Sequence, residues 1–373
     1  MASTCNQLLD LCLRGEQWSP ELLDHAIAED EGRALFSIVV ERLGDLFEPR
    51  LCGVYTRLFS EVVARACPEL IPRIRRVAGS IGQWPATNRV YVLSRITLGA
   101  DVAVTSVLLD AAKRRYPSAE IVFVGPRKNY ELFETDPRLV HRDVPYARGG
   151  SLRDRLRASE ALWFDDGIVI DPDSRLTQLG LIHVCPDDRY CFFESRSFGK
   201  DGNERLPDLA ARWADDPAAR PYAAPRPSGG PPFDITVSLG VGENPAKRLS
   251  DEFEHQLLKM IEGTGASVLV DKGGSPAERE RVERAVPTGM RAHDGPFAPF
   301  AAEIARSNLF LGYDSAAGHV ASACGVPHIS IAKGFVSERM AARWRPNGTV
   351  IDGDVADVLD QVRRTLATYT FRR

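Results

Sequence analysis

No two cysteines in this chain stand in Cys-x-x-Cys or any other zinc-binding spacing. The seven, at 5, 12, 52, 67, 185, 191 and 324, form no disulfide framework, and reduced thiols in a cytoplasmic protein are expected. No apolar run reaches membrane-spanning length, and the N-terminal leucines are interrupted by Asp10, Arg14 and Glu16, which leaves no signal-peptide core. Any membrane contact is therefore expected to be peripheral, from the inner face. Neither sign of charge dominates: a net charge of −4 argues against a general nucleic-acid binder. What remains is a soluble globular composition, 44% hydrophobic and 26% charged, in 373 residues, enough for two or three domains.

Residues 1–85 read as a helical region. Ser19-Pro20-Glu21 supplies a cap, a first-turn proline and a favourable charge, and Leu35, Ile38, Val39, Leu43 and Leu46 recur at helical spacing. No catalytic residue stands out there, so packing, partner docking or self-association is the expected role. Residues 86–216 alternate strands and helices, with strands predicted at Val90–Leu93, Ile121–Val124, Leu162–Phe164, Ile168–Ile170 and Tyr190–Phe193. The basic run Arg148 to Arg157 reads as a solvated helix face, and Asp171-Pro172-Asp173 as a turn after a strand. Residues 217–232, rich in proline and glycine, read as an exposed, semi-rigid linker. A second alternating unit spans 233–352, with strands at Ile235–Leu239, Val268–Val270, Leu309–Leu311 and Ile329–Ile331, and 353–373 holds a last amphipathic helix.

The most informative stretch is Asn308 to Gly334. A short apolar run ends at Gly312, small residues from Ala316 to Cys324 have helical character, and Gly325-Val-Pro327 opens the next strand. Asp314 or Ser315 caps that helix, so its free N–H groups and positive dipole end face the carboxyl end of a strand. With small side chains at Ala316, Ala317 and Gly318, the natural guest is a phosphate group. The loop from Gly240 to Arg248 is not a dinucleotide fingerprint, because Pro245 takes the place of the third glycine, nor a P-loop, because no Gly-Lys-Ser/Thr follows. It instead presents Lys247 and Arg248 where a diphosphate at Ala316 would be reached.

Asp314-Ser315, His319 and Gly325-Val-Pro327 together resemble the donor-site signature of glycosyltransferase family 9, the heptosyltransferases. Lys247-Arg248 is similar to that family's lysine in the loop after the first donor-domain strand, and Leu98-Gly-Ala-Asp101-Val with Arg115-Tyr-Pro117 is similar to its first strand, loop and helix. Ala100 intervenes between the usual Gly and Asp, Ala316 replaces a usual Gly, Leu249-Ser250 replaces Trp-Pro, and Lys333-Gly334-Phe335 replaces Gly-Pro-Thr. The resemblance implies an α/β GT-B fold, two Rossmann-like domains facing across a cleft, here with an extra N-terminal helical region. It implies metal-independent inverting transfer of a sugar from a nucleoside-diphosphate sugar to a hydroxyl of a saccharide, glycolipid or other acceptor, with no bound cofactor. Asp101 is then the candidate base, with the N-cap of the following helix as its structural alternative. Lys247, Arg248, Asp314, Ser315, Ala316, Ala317, Gly318, His319, Lys333 and Gly334 are the candidate diphosphate and nucleotide contacts, and Arg95, Thr97 and Gly99 the candidate acceptor contacts. A nucleotide-sugar epimerase on the same architecture and a non-catalytic nucleotide-binding scaffold are the alternatives.

Overall fold

The computed structural model describes residues 3–75, 83–242 and 244–369. Glu243, in the Gly240–Arg248 loop, and residues 370–373 of the tail lie outside them. Two sheets carry the chain. The first has the order β3-β2-β1-β4-β5, from β1 (Arg89–Leu93), β2 (Glu120–Gly125), β3 (Leu139–Asp143), β4 (Ile168–Asp171) and β5 (Tyr190–Phe192). The second has the order β11-β10-β9-β6-β7-β8. Its strands are β6 (Ile235–Ser238), β7 (Val268–Asp271), β8 (Arg291–His293), β9 (Leu309–Tyr313), β10 (His328–Ile331) and β11 (Thr349–Ile351).

All strand pairings described are parallel, as expected for apolar runs such as Val90–Leu93 that are buried on both faces. The strand order reverses between β1 and β4 in one sheet and between β6 and β9 in the other, and a crevice opens at each switch point. One strand expectation fails: Leu162–Phe164 is irregular, because Arg73 Nη2 takes the carbonyl of Leu162 at 2.7 Å and Phe164 N–H donates to Val184 instead of to a strand.

The N-terminal helices Thr4–Arg14, Pro20–Ala28 and Pro49–Ala66 are amphipathic, with Ser3 and Ser19 as caps. Leu8, Phe36, Phe59 and Val62 bury themselves against one another and against Leu152, Leu156 and Ile182 of the first sheet domain. Each such side chain contributes roughly 1.5–3 kcal/mol. The region's apolar face is thus used within the chain. The basic run is a solvated face in part: Arg153 and Arg157 are exposed, whereas Arg155 is buried and stacks on Phe36 at 4.2 Å.

The linker is strapped down instead of exposed along its length. Tyr222 hydroxyl donates to Asp136 at 2.8 Å, and Ala224 exchanges main-chain bonds with Leu132 and Thr135. Across the domains, the fully buried Arg343 of the Glu338–Trp344 helix donates to the carbonyls of Ser195, Phe198 and Lys200 at 2.8–3.0 Å. No described helix is long and apolar enough to cross a membrane.

Candidate active site in the interdomain cleft

The loops leaving both switch points line one cleft of about 970 Å³. The first domain brings Ile96 to Ala100, the second brings Gly240 to Gly242, Lys247 and Asp314 to Ala317, and Glu41, Arg42 and Asp45 enter from the N-terminal helices. The domains meet closely at Gly99, where a Cβ would stand 3.1 Å from the His319 ring and 3.2 Å from Ala316 Cα. Gly99 therefore serves the approach of the two halves. Beneath Thr97 and Ala100 lies a smaller cavity of about 150 Å³, into which Arg95 faces. Arg95 is held by Ser195 Oγ at 2.9 Å and by the carbonyl of Pro172, and burial lowers its pKa.

On the donor side, β9 ends at Tyr313 and the Ala316–Ala323 helix starts with Ser315 at its cap position in extended conformation, φ −160°. Ser315 makes no capping bond, and its Oγ is buried without a partner. The first turn of that helix therefore offers N–H groups and one hydroxyl with nothing from the described residues to satisfy them. Lys247 Nζ stands beside this turn, 2.6 Å from Asp314 Oδ2 and 3.2 Å from the Asp314 carbonyl. His319, one turn into the helix, lies edge-on to Trp344 at 5.8 Å. Burial lowers its pKa, against the nearby Asp314 carboxylate, so the neutral ring prevails near pH 7.

Four of the expected diphosphate contacts do not line the cleft: Arg248, Lys333, Gly334, and Gly318, whose Cβ position faces Ser330 Oγ of β10 at 3.0 Å. Arg248 Nε donates to Glu254 at 2.9 Å, its other arm meets Asp251, and Arg281 reaches the same fully buried Glu254. The guanidinium thereby anchors the loop to the following helix and does not line the cleft. Lys333 is exposed and also lies off the cleft wall, which Phe335 and Val336 complete. Gly334, at φ +72°, braces the loop of Lys247: its carbonyl accepts from Asn244 Nδ2 at 3.3 Å, and a Cβ would meet the Ala246 carbonyl carbon at 2.6 Å.

The largest correction concerns Asp101. Leu98 to Arg115 run as one helix widened by a π-type turn at Asp101–Thr105. Ala100 lines the cleft and Asp101 is rotated inward to zero exposure. Ser94 Oγ, Arg95 N–H, Thr105 Oγ1 and Asn129 Nδ2 all donate to its carboxylate at 2.6 Å. Burial raises its pKa against the pull of those donors. With both oxygens occupied, Asp101 has no free face for a substrate proton, and with the helix starting at Leu98 it is not the N-cap either. It shapes the loop, where Ile96 sits at φ +75°, a conformation that costs a β-branched residue roughly 1–3 kcal/mol.

Asp171 and Asp173 are stapled in the same way. Asp171 accepts from Ser174 N–H at 2.7 Å and Tyr190 hydroxyl at 2.5 Å, and Asp173 accepts from Ser195 Oγ at 2.8 Å and Arg196 at 3.0 Å. The turn expectation holds there. Asp45 was not singled out in the sequence, since a carboxylate at the end of a helical pattern carries no motif.

No family model matches the chain, and no curated protein matches it in sequence. Its fold is similar to that of E. coli heptosyltransferase WaaC solved with ADP-2-deoxy-2-fluoro heptose, at TM-score 0.53 and 14% identity, over 75% of this chain and 99% of that one. It is similar to E. coli ADP-heptose lps heptosyltransferase II, at 0.52 and 16%, over 75% and 99%. A glycosyl transferase family 9 structure from Veillonella parvula gives 0.52 and 16%, over 78% and 92%. At such identities the likeness establishes the fold, the two-domain GT-B architecture, and this chain carries additional residues beyond it.

Proposed function

We propose that the cleft binds a nucleoside-diphosphate sugar and transfers the sugar, with inversion and without a metal, to a hydroxyl of an acceptor. One observation carries this reading: the Ala316–Ala323 helix opens onto the cleft with an uncapped first turn and an unpartnered Ser315 hydroxyl, beside Lys247. Such a corner suits a dianionic diphosphate, since N–H groups and the helix dipole favour negative charge and need no reorganisation when it grows. The fold's likeness to a heptosyltransferase solved with an ADP-sugar analogue supports a nucleoside-diphosphate sugar as the ligand.

As the bond from the sugar's anomeric carbon to the diphosphate breaks, its electron pair goes to the phosphate oxygen. Ser315 Oγ–H, the first-turn N–H groups and the Lys247 ammonium then stabilise that oxygen, while neutral His319 offers a ring N–H. Inversion follows from the attacking hydroxyl arriving from the first domain's side of the cleft, opposite the leaving group. The decisive test is calorimetry with ADP and UDP on wild type and Lys247→Ala. We expect binding of at least one by wild type, weakened about 10- to 100-fold by the substitution, the range for a charge-assisted hydrogen bond. Equal affinity in the two proteins, or no binding of either nucleotide, removes the reading.

A further inference from the structure

The transferase reading leaves the acceptor proton without a destination, because Asp101 is sealed. Five carboxylates line the cleft, Glu41, Asp45, Asp271, Glu278 and Asp314, none of them from the first sheet domain's own loop, and three of the five are placed for other work. Asp314 is paired to Lys247 at 2.6 Å. Glu278 accepts from the N–H groups of Val241 at 3.0 Å, Gly242 at 3.2 Å and Gly274 at 3.1 Å. Asp271 closes β7 and accepts the N–H of Gly273 in the turn that follows.

Glu41 and Asp45 remain, one turn apart on the short helix Glu41–Asp45. Both border the cleft and the small cavity beneath it, together with Ile96, Thr97 and Ala100. No described residue donates a hydrogen bond to Asp45, which lies within electrostatic reach of Lys247 across the cleft. The segment that carries it is held from behind: Arg339 Nη1 donates to the Phe47 carbonyl at 3.0 Å, and the Phe47 ring packs edge-on to Trp344 at 6.4 Å.

We propose that Asp45, brought into the cleft by the N-terminal helical region, accepts the proton of the attacking acceptor hydroxyl. The inference rests on the transferase reading above. The hydroxyl O–H bond breaks toward the Asp45 carboxylate, the oxygen forms the new bond to the anomeric carbon, and the nucleoside diphosphate leaves with the electron pair of the broken bond. Ala100 faces the same space from the first domain, and its small side chain beside the inward-turned Asp101 leaves room for a carboxylate from elsewhere. Burial pushes the Asp45 carboxyl up to about 6, a value suited to accepting a proton near neutrality. Arg175, Arg148 and Lys247 pull against that rise, and Glu41 adds to it. Arg95, Arg155 and the Arg196–Asp173 pair complete the charged wall of the small cavity.

The test measures release of ADP or UDP from the corresponding nucleotide sugars by the full chain, with water and with a panel of sugar hydroxyls as acceptors. Asp45→Asn is expected to lower kcat about 100-fold or more, to leave nucleotide affinity within about twofold, and to abolish the acidic limb near pH 6. Formate is expected to restore part of the turnover of Asp45→Ala, which a merely structural role would not allow. Asp45→Asn that keeps wild-type turnover, or Glu41→Gln that alone loses it, overturns the inference and leaves the transferase reading standing. Wild type that binds nucleotide and releases none from any sugar overturns both.

Discussion

The mouths of the two sheets are built alike and finished differently. After β1 and β4, the carboxylates that close the strand ends are consumed by the chain itself: Asp101 by four donors, Asp171 and Asp173 by hydroxyls, an N–H and Arg196. After β9, the Ser315 hydroxyl and the helix's first turn are left without partners. The difference teaches that a binding corner is marked less by its residue types than by what the fold declines to satisfy. A carboxylate in a loop at a sheet mouth reads as chemistry in the sequence, yet the closed mouth uses it as a staple.

The strongest way to break this comparison is Asp101→Ala. It strands four donors, three of them fully buried, each buried one costing roughly 1–3 kcal/mol. Urea unfolding should show a loss of at least about 4 kcal/mol. An equally stable variant would mean that the first mouth is not closed by this carboxylate. A weaker probe uses the N-terminal wall of the cleft. Asp45 titrates near 6 when folded, above its unfolded value, so the folded chain binds the proton more tightly. Its contribution is present at low pH and is lost as pH rises from about 4 through about 6. Asp45→Asn should therefore gain about 2 kcal/mol on wild type between pH 4 and pH 7.5. A difference that does not change with pH would show an Asp45 carboxyl already well solvated. The smallest effect sharpens the open mouth: Ser315→Ala breaks no internal bond, so unfolding free energy should stay within about 0.5 kcal/mol. ADP affinity, by contrast, should fall about fivefold, near 1 kcal/mol. A large loss of stability with unchanged affinity would reverse the assignment.

Much of the fold was legible because its signals are local. Continuous apolar runs gave the central strands, Ser-Pro pairs gave helix starts, and small residues after Tyr313 gave the helix that opens onto the cleft. The missed strands, β3, β8 and β11, lie at sheet edges, where half the surface is solvated. Sequences such as Leu-Val-His-Arg-Asp and Arg-Ala-His carry no apolar period there. Within the site, Lys247, Ser315 and His319 were found by pattern and do line the cleft. Arg248 was misplaced because a long cationic side chain at a loop end goes to the carboxylates the tertiary fold supplies, here Glu254 and Asp251, and Lys333 because it stays exposed off the cleft wall.

The sequence alone determined two alternating units, a helical N-terminus and a small-residue helix start after Tyr313, since propensity, capping and apolar spacing act between residues a few positions apart. Only the tertiary structure decided which carboxylate is sealed and which stays open. That choice depends on the π-type turn at Asp101–Thr105 that points Asp101 inward, and on a helix from the far end of the chain delivering Asp45 across a gap that no local pattern encodes.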